Sequence, residues 1–317
     1  MRFDLEDIIA VSSTGEDKVI FLDRNNYEVV EEFKLLIPNN KKYNMENYFG
    51  PYGLAFDNNR KYMYVANSYN GSISIIDLLK WSMVENICVG TSPCHLDISK
   101  KNNFIYVTNY DSDTVSGIDL NKNSVAVQIP VNRMPHDLHM SNDGKSLFVA
   151  GLGSEEIFVI DTQDNSVCDK IVLNCCAMHF KISRCNKYLY ASCSNFNCEN
   201  QGILCIVDIS QRKVMEKIKI GIYLSDIALR ETTKEIFLLD AETNYLYKLS
   251  IEDGKMSGKA ETGKFPSCIG IDDEKNIAII GNHLDNTIEI FDLDDLRRIK
   301  RIRVGKDLNY ISKSTDK

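Results

Sequence analysis

The chain consists of short runs in which apolar and polar residues alternate, or in which β-branched and aromatic residues dominate. One representative stretch contains four such runs, at residues 96–98, 104–107, 114–118 and 125–129. Asn, Asp, Gly, Lys and Ser separate the runs, and no window of the sequence carries the apolar stripe of an amphipathic helix. The pattern predicts an all-β protein made of short antiparallel strands.

The four runs recur along the chain with a period of 42 residues, which lengthens once to 47. The repeat is marked by an aromatic or apolar residue at Tyr64, Tyr106, Phe148, Tyr190, Phe237 and Ile279. Thirteen residues before each marker comes a proline or apolar residue, at Pro51, Pro93, Pro135, Ala177, Leu224 and Pro266. Four strands in a repeat of this length are typical of a β-propeller blade, which needs a neighbour on each side to bury its faces.

The two ends of the chain predict how the ring of blades closes. The first repeat lacks the proline-led strand, and one further period from Pro266 reaches Leu308. We therefore expect a single domain over 1–317 in which a C-terminal strand joins three N-terminal strands. The predicted blades are 7–35 with 308–313, 51–90, 93–132, 135–174, 177–221, 224–263 and 266–304.

The repeats contain YVAN at 64–67 and YVTN at 106–109, a leading proline, and a closing Ile-Asp-Leu as at 118–120. In these features the chain resembles the YVTN repeat family of seven-bladed propellers, within the quinoprotein amine dehydrogenase-like superfamily and with a WD-repeat-like architecture. The resemblance covers nearly the whole chain and implies the fold. It does not imply one function, since similar blades serve as lactonases, amine dehydrogenase subunits and binding platforms.

Charge and composition narrow the classes of partner. The net charge is −8 over 317 residues without a basic stripe, which argues against nucleic acid. No apolar run approaches the about 18 residues of a membrane-spanning helix. The acidic N-terminus lacks the features of a secretory signal, so the ten cysteines are expected to be reduced thiols of a monomeric cytoplasmic protein.

One position in the repeat, two residues after the leading proline, is unusually polar. It is occupied, blade by blade, by Gly53, His95, Asp137, His179, Asp226, Cys268 and Tyr310. The resembling family favours a small residue there. These side chains should begin the innermost strands, near the mouth of the central channel. One residue further on, a second column should be buried between blades: Leu96, Leu138, Phe180, Ile227 and Ile269.

The five histidines of the chain map toward the same region. They are His95, His136, His139, His179 and His283. Two imidazoles and a carboxylate from adjacent blades can form a site for a divalent transition metal, iron or zinc. The predicted ligands are His95, Asp137, His179 and His283, while His136 is expected to point away from them. The alternative is a network of hydrogen bonds with channel waters.

Further residues near the predicted channel mouth are candidates for binding a small molecule or a protein partner. They are Tyr52, Cys94, Tyr110, His136, Asp226, Cys268 and Tyr310. Two insertions, at 36–49 and 194–202, interrupt the repeat on the same predicted face and could contact a partner.

Cysteine is concentrated in the fifth predicted blade, at Cys175, Cys176, Cys185, Cys193, Cys198 and Cys205. The spacing matches no C-x-x-C zinc motif. Cys205 is interpreted as a small core residue, and Cys193 and Cys198, beside the insertion, as candidates for a soft metal or redox chemistry.

Three functions remain open at this level. The first is a propeller that binds a ligand or partner at its channel mouth, with an axial metal site. The second is a metal-dependent hydrolase, lyase or oxygenase built on the His/Asp/His set. The third is an interaction scaffold that acts through the two inserted loops.

Overall fold

The computed structural model describes residues 5–36, 48–99, 101–131, 133–195 and 201–314. In these residues, 28 strands form seven antiparallel four-stranded sheets, and two single-turn 3-10 helices, Thr14–Glu16 and Tyr110–Ser112, complete the regular structure. The prediction of a seven-bladed, all-β propeller is confirmed. No helix among the described residues is long and apolar enough to cross a bilayer.

The strands are mostly six or seven residues long, as the alternating runs predict. In chain order they are β1 (Ile8–Ser13), β2 (Lys18–Asp23), β3 (Val29–Lys34), β4 (Pro51–Phe56), β5 (Tyr62–Asn67), β6 (Ser72–Asp77), β7 (Ser82–Cys88), β8 (Pro93–Ser99), β9 (Phe104–Asn109), β10 (Thr114–Asp119), β11 (Ser124–Pro130), β12 (Pro135–Met140), β13 (Ser146–Gly151), β14 (Glu156–Asp161), β15 (Ser166–Val172), β16 (Cys176–Ile182), β17 (Tyr188–Asn195), β18 (Gln201–Asp208), β19 (Lys213–Lys219), β20 (Leu224–Arg230), β21 (Glu235–Asp240), β22 (Tyr245–Ser250), β23 (Met256–Glu261), β24 (Pro266–Asp272), β25 (Ile277–Asn282), β26 (Thr287–Asp292), β27 (Arg298–Arg303) and β28 (Leu308–Lys313).

Each sheet is one blade. Blade 1 has the order β28-β1-β2-β3, and blades 2 to 7 follow as β4 to β7, β8 to β11, β12 to β15, β16 to β19, β20 to β23 and β24 to β27. The predicted closure is therefore confirmed: β28 pairs with β1 in antiparallel register, with Val11 opposite Ile311 and Ser13 opposite Leu308. This pairing removes the open edge that blade 1 would otherwise present.

The inner strand of each blade, which is β28 in blade 1 and the first strand elsewhere, contacts the inner strands of both neighbouring blades. The hydrophobic core lies between blades, in seven clusters that each join two adjacent blades around the ring. The predicted core column, one residue from each of blades 3 to 7, is buried in these clusters: Leu96, Leu138, Phe180, Ile227 and Ile269.

The inner strands of blades 2 to 7 share an irregularity near their first residue. The register of pairing with the second strand shifts there, between Pro135 and Leu138 in β12 and between Ala177 and His179 in β16. Such a β-bulge adds a residue to one strand and re-aims its side chains. It follows that two consecutive residues of an inner strand can both face the axis of the ring.

Candidate metal centre

Three imidazole rings meet where the inner strands of blades 3, 4 and 5 begin. His95 lies on β8, His136 on β12 and His179 on β16. The ring centroids form a nearly equilateral triangle with sides of 4.9, 4.9 and 5.0 Å. One nitrogen of each ring lies within 4.8 Å of the other two, and all three side chains are buried. Three neighbouring inner strands thus each supply one potential ligand.

The Nδ1 atom of each ring faces an acceptor. His95 Nδ1 lies 3.5 Å from Asp137 Oδ1, and His179 Nδ1 lies 3.4 Å from Asp137 Oδ2. His136 Nδ1 lies 3.2 Å from the carbonyl oxygen of Met178. These acceptors favour the tautomer with the proton on Nδ1, which leaves the Nε2 lone pair of each ring available as a ligand.

The Nε2 atoms of His95 and His136 differ in their contacts. Within the part of the chain that the structure describes, His95 Nε2 is buried without a hydrogen-bond partner. His136 Nε2 lies 3.3 Å from the Tyr52 hydroxyl. A buried polar atom without a partner is costly, and His95 Nε2 is such an atom in this cluster.

Asp137 lies on the Nδ1 side of the imidazoles, so it is not placed among the Nε2 atoms. Its carboxylate also accepts the backbone N–H of Leu138 at 2.9 Å and that of Phe180, in the next blade, at 3.0 Å. Asp226 repeats this arrangement two blades further on, in blade 6, with the N–H groups of Ile227 at 2.7 Å and of Ile269, in blade 7, at 2.9 Å. The carboxylate predicted as a direct ligand instead orients two of the histidines and ties blade 4 to blade 5.

Burial and the carboxylates of Asp137 and Asp226 shift the pKa values of the three histidines in different directions. Burial lowers the pKa of His95 well below its ordinary value, and burial together with His179 lowers the pKa of His136 to about 4. Burial also acts to lower the pKa of His179, but Asp226 and Asp137 outweigh it and raise that pKa. At neutral pH the cluster therefore contains two neutral imidazoles and one that retains its proton more strongly.

Asp137 remains ionised in this setting. Burial alone would raise its pKa, but His139 and His179 hold the pKa of this carboxyl well below its usual range. His139 was not singled out as a site residue, yet its Nε2 lies 3.5 Å from Asp137 Oδ2 and 2.9 Å from Lys181 Nζ. His139 follows Asp137 by two residues on β12. Residues two apart on a strand lie on the same face, so the contact could have been predicted from the sequence.

Two histidines lie elsewhere than the sequence predicts. His136 joins the cluster, because the bulge between Pro135 and Leu138 lets it and Asp137 face the same region. His283 does not join it: its Nε2 lies 3.5 Å from Asp307 Oδ1, and its ring packs 5.8 Å from that of Phe265.

Partly exposed tyrosines surround the three rings. The Tyr52 ring lies 5.4 Å from His95 and 5.9 Å from His136, Tyr110 lies 6.3 Å from His136, and Tyr310 lies 5.2 Å from His95. The structure therefore brings these three candidate ligand-binding residues together with the histidines.

Three further candidate residues, Cys94, Cys268 and Asp226, lie close enough to Tyr52 to affect its pKa. Burial raises the pKa of Tyr52 well above its ordinary value, and these three residues raise it further. Burial also raises the pKa of Cys94 and of Cys268 to about 12, so both remain thiols at neutral pH. In blade 2 the equivalent position is Gly53, where a Cβ atom would lie 2.4 Å from the Cys94 carbonyl oxygen.

Most of the two inserted loops lies outside the described residues. The described residues do not include 37–47 or 196–200, and Cys198 belongs to the second of these ranges. The predicted contribution of these loops to partner binding therefore stays a prediction.

A known protein family matches nearly the whole length of the chain. The model of the YNCE-like beta-propeller family matches the chain twice, over residues 14–197 and 53–316. A comparison with curated proteins found none that matches.

Solved structures with a similar fold come from different functional settings. A chain of Kuenenia stuttgartiensis hydrazine synthase is 18% identical with a TM-score of 0.77, covering 87% of this chain and 92% of that chain. A putative 6-phosphogluconolactonase from Bacteroides uniformis is 13% identical with a TM-score of 0.76, covering 97% and 99%. A functionally unknown protein from Desulfotomaculum acetoxidans is 9% identical with a TM-score of 0.78, covering 97% and 98%. At these identities the similarity concerns the fold, and the two family matches together show that the chain belongs to the YNCE-like beta-propeller family.

Proposed function

We propose that the protein binds one divalent transition-metal ion, zinc or ferrous iron, through Nε2 of His95, His136 and His179. The carrying observation is that each Nδ1 atom faces an acceptor while one nitrogen of each ring converges on the other two within 4.8 Å. Imidazole nitrogens suit both metals, and zinc sites with three histidines keep a fourth position open for water or a substrate.

The residues behind the rings support this assignment. A carboxylate or carbonyl oxygen on Nδ1 is the usual second partner of a metal-binding histidine, because it sets the tautomer and the ring orientation. Asp137 supplies that partner to His95 and His179, and the Met178 carbonyl supplies it to His136. The partner-free Nε2 of His95 is the atom that gains most from an ion.

The open coordination position defines the ligand that the site would accept. Tyr52, Tyr110 and Tyr310 surround the rings, and the Tyr52 hydroxyl is 3.3 Å from His136 Nε2. We infer a small polar molecule that reaches the metal past these tyrosines. Zinc lowers the pKa of bound water, so hydrolytic chemistry would be open to such a site. The similar structures do not choose among activities, since they share only the fold.

The direct test is metal binding by chelator-treated protein. Isothermal titration with Zn²⁺, and with Fe²⁺ under argon, should give one ion per chain. His95→Ala, His136→Ala and His179→Ala should each weaken binding by more than about 100-fold, since each removes one of three protein ligands. Asp137→Asn should weaken it about 10- to 100-fold, as expected for a residue that orients the ligands.

His283→Ala is the matched control, because this histidine lies outside the cluster, and its affinity should equal that of the wild type. Circular dichroism should show that each variant keeps its strands. Wild-type protein that binds no ion, or three histidine variants that bind like the control, would leave only a hydrogen-bonded polar centre.

A further inference from the structure

A second group of ligand-type side chains lies in the core between blades 4 and 5. Cys175 precedes β16, Cys193 lies on β17 and Cys205 on β18. The Cys175 and Cys205 sulfur atoms are 3.3 Å apart, those of Cys193 and Cys205 are 3.7 Å apart, and all three lie within 4.8 Å of one another. All three are free thiols and are at most 1% exposed.

Strand register explains why residues distant in sequence meet here. Cys205 is opposite Ala191, and Cys193 is opposite Ile203, so the two cysteines are diagonal neighbours on one face of the sheet. Ala177 is opposite Cys193, which brings Cys175 to the same corner. Three consecutive segments of blade 5 thus each contribute one sulfur to one point.

The side chains that share a core cluster with the three cysteines are apolar. Ile171 and Leu173 approach from the side of blade 4, and Phe180, Ala191 and Ile203 belong to blade 5. Among the described residues, no histidine or carboxylate joins the three thiols as a fourth ligand. The group therefore offers three soft ligands in a dry, apolar enclosure.

We propose that Cys175, Cys193 and Cys205 form a binding site for monovalent copper, Cu(I), held by three sulfur atoms. Thiolate and thioether sulfur are the ligands that Cu(I) prefers. Structural zinc sites are almost always four-coordinate, and this group supplies only three ligands. All three cysteines are at most 1% exposed, which disfavours water as the missing fourth ligand.

The experiment is an anaerobic titration of reduced full-length protein with Cu(I) delivered as its bicinchoninate complex. It is run on native protein and on protein refolded from urea with the complex present, because the site is enclosed. One copper per chain should transfer from the chelator, and X-ray absorption should show three sulfur neighbours and no nitrogen or oxygen. No transfer in either arm, or a copper bound by nitrogen, would overturn the proposal.

Variants separate this site from other thiols and from the histidine cluster. Cys205→Ala should reduce copper affinity by more than about 100-fold, since it removes a ligand. Cys168→Ala, at an exposed position of the neighbouring blade, should leave affinity unchanged, and so should His95→Ala. Equal binding by Cys205→Ala and wild type would overturn the proposal. Should Cys205→Ala fail to fold, the sulfur count in wild-type protein decides alone. Displacement of the copper by equimolar Zn²⁺ would also count against it.

Discussion

Acid should destabilise the protein through His136, and the size of the effect follows from its surroundings. An unfolded chain protonates this imidazole near pH 6.5, whereas burial beside His179 lowers its pKa in the folded protein to about 4. Between these values the unfolded chain binds the extra proton, so stability falls as the pH falls. From pH 7 to about pH 4.5 the free energy of unfolding should drop by about 2–3 kcal/mol from this group alone, at 1.36 kcal/mol per pKa unit.

The assay is urea unfolding of chelator-treated protein at both pH values, followed by the fluorescence of Trp81. This is the single tryptophan, packed between blades 1 and 2 against Phe21 and Phe33. His136→Gln retains polar atoms but does not titrate. The stability advantage of wild type over this variant should therefore shrink by about 2–3 kcal/mol on acidification, because the other titrating groups are common to both proteins. An advantage that stays constant between the two pH values would refute the description of His136 as a buried, neutral imidazole.

Three further predictions concern the ring and its centre. Deleting residues 304–317 removes β28, so blade 1 loses a strand and the burial of Leu308 and Ile311; the melting temperature should fall sharply, and a melt like that of wild type would contradict closure by this strand. Leu138→Ala should lower the free energy of unfolding by about 2–5 kcal/mol, measured in urea, since Leu138 is 1% exposed between blades 3 and 4; a value near zero would contradict its burial. Metal binding should weaken below about pH 6 and be accompanied by proton release, because the raised pKa of His179 favours the protonated ring, which must lose a proton before it can bind the ion; titration in buffers of different ionisation enthalpy measures this, and uptake of protons would contradict it.

The sequence predicts the fold well because the repeat encodes it redundantly. Six markers, six leading residues and the return of the period at Leu308 all indicate the same ring, and the structure closes it there. The burial of the core column follows from the same period, since residues two apart on a strand face the same side.

The centre was harder to predict because its geometry depends on a departure from that period. A regular strand would turn His136 away from Asp137, whereas the bulge in β12 brings it beside His95 and His179. The partner of His136 Nδ1 is a backbone carbonyl, that of Met178, which no residue type encodes. The Cys175 contact likewise depends on strand pairing within blade 5.

Asp137 contacts two histidines of the cluster and also connects two neighbouring blades. The histidine cluster is therefore joined to the contact between those blades. Its carboxylate holds the Phe180 amide of the neighbouring blade while it contacts His95 and His179. We therefore expect displacement of the imidazoles to disturb the contact between blades 4 and 5, and separation of these blades to disturb the imidazoles. A group bound by the three histidines would hold blades 3, 4 and 5 together, and unfolding of the propeller should then become more cooperative.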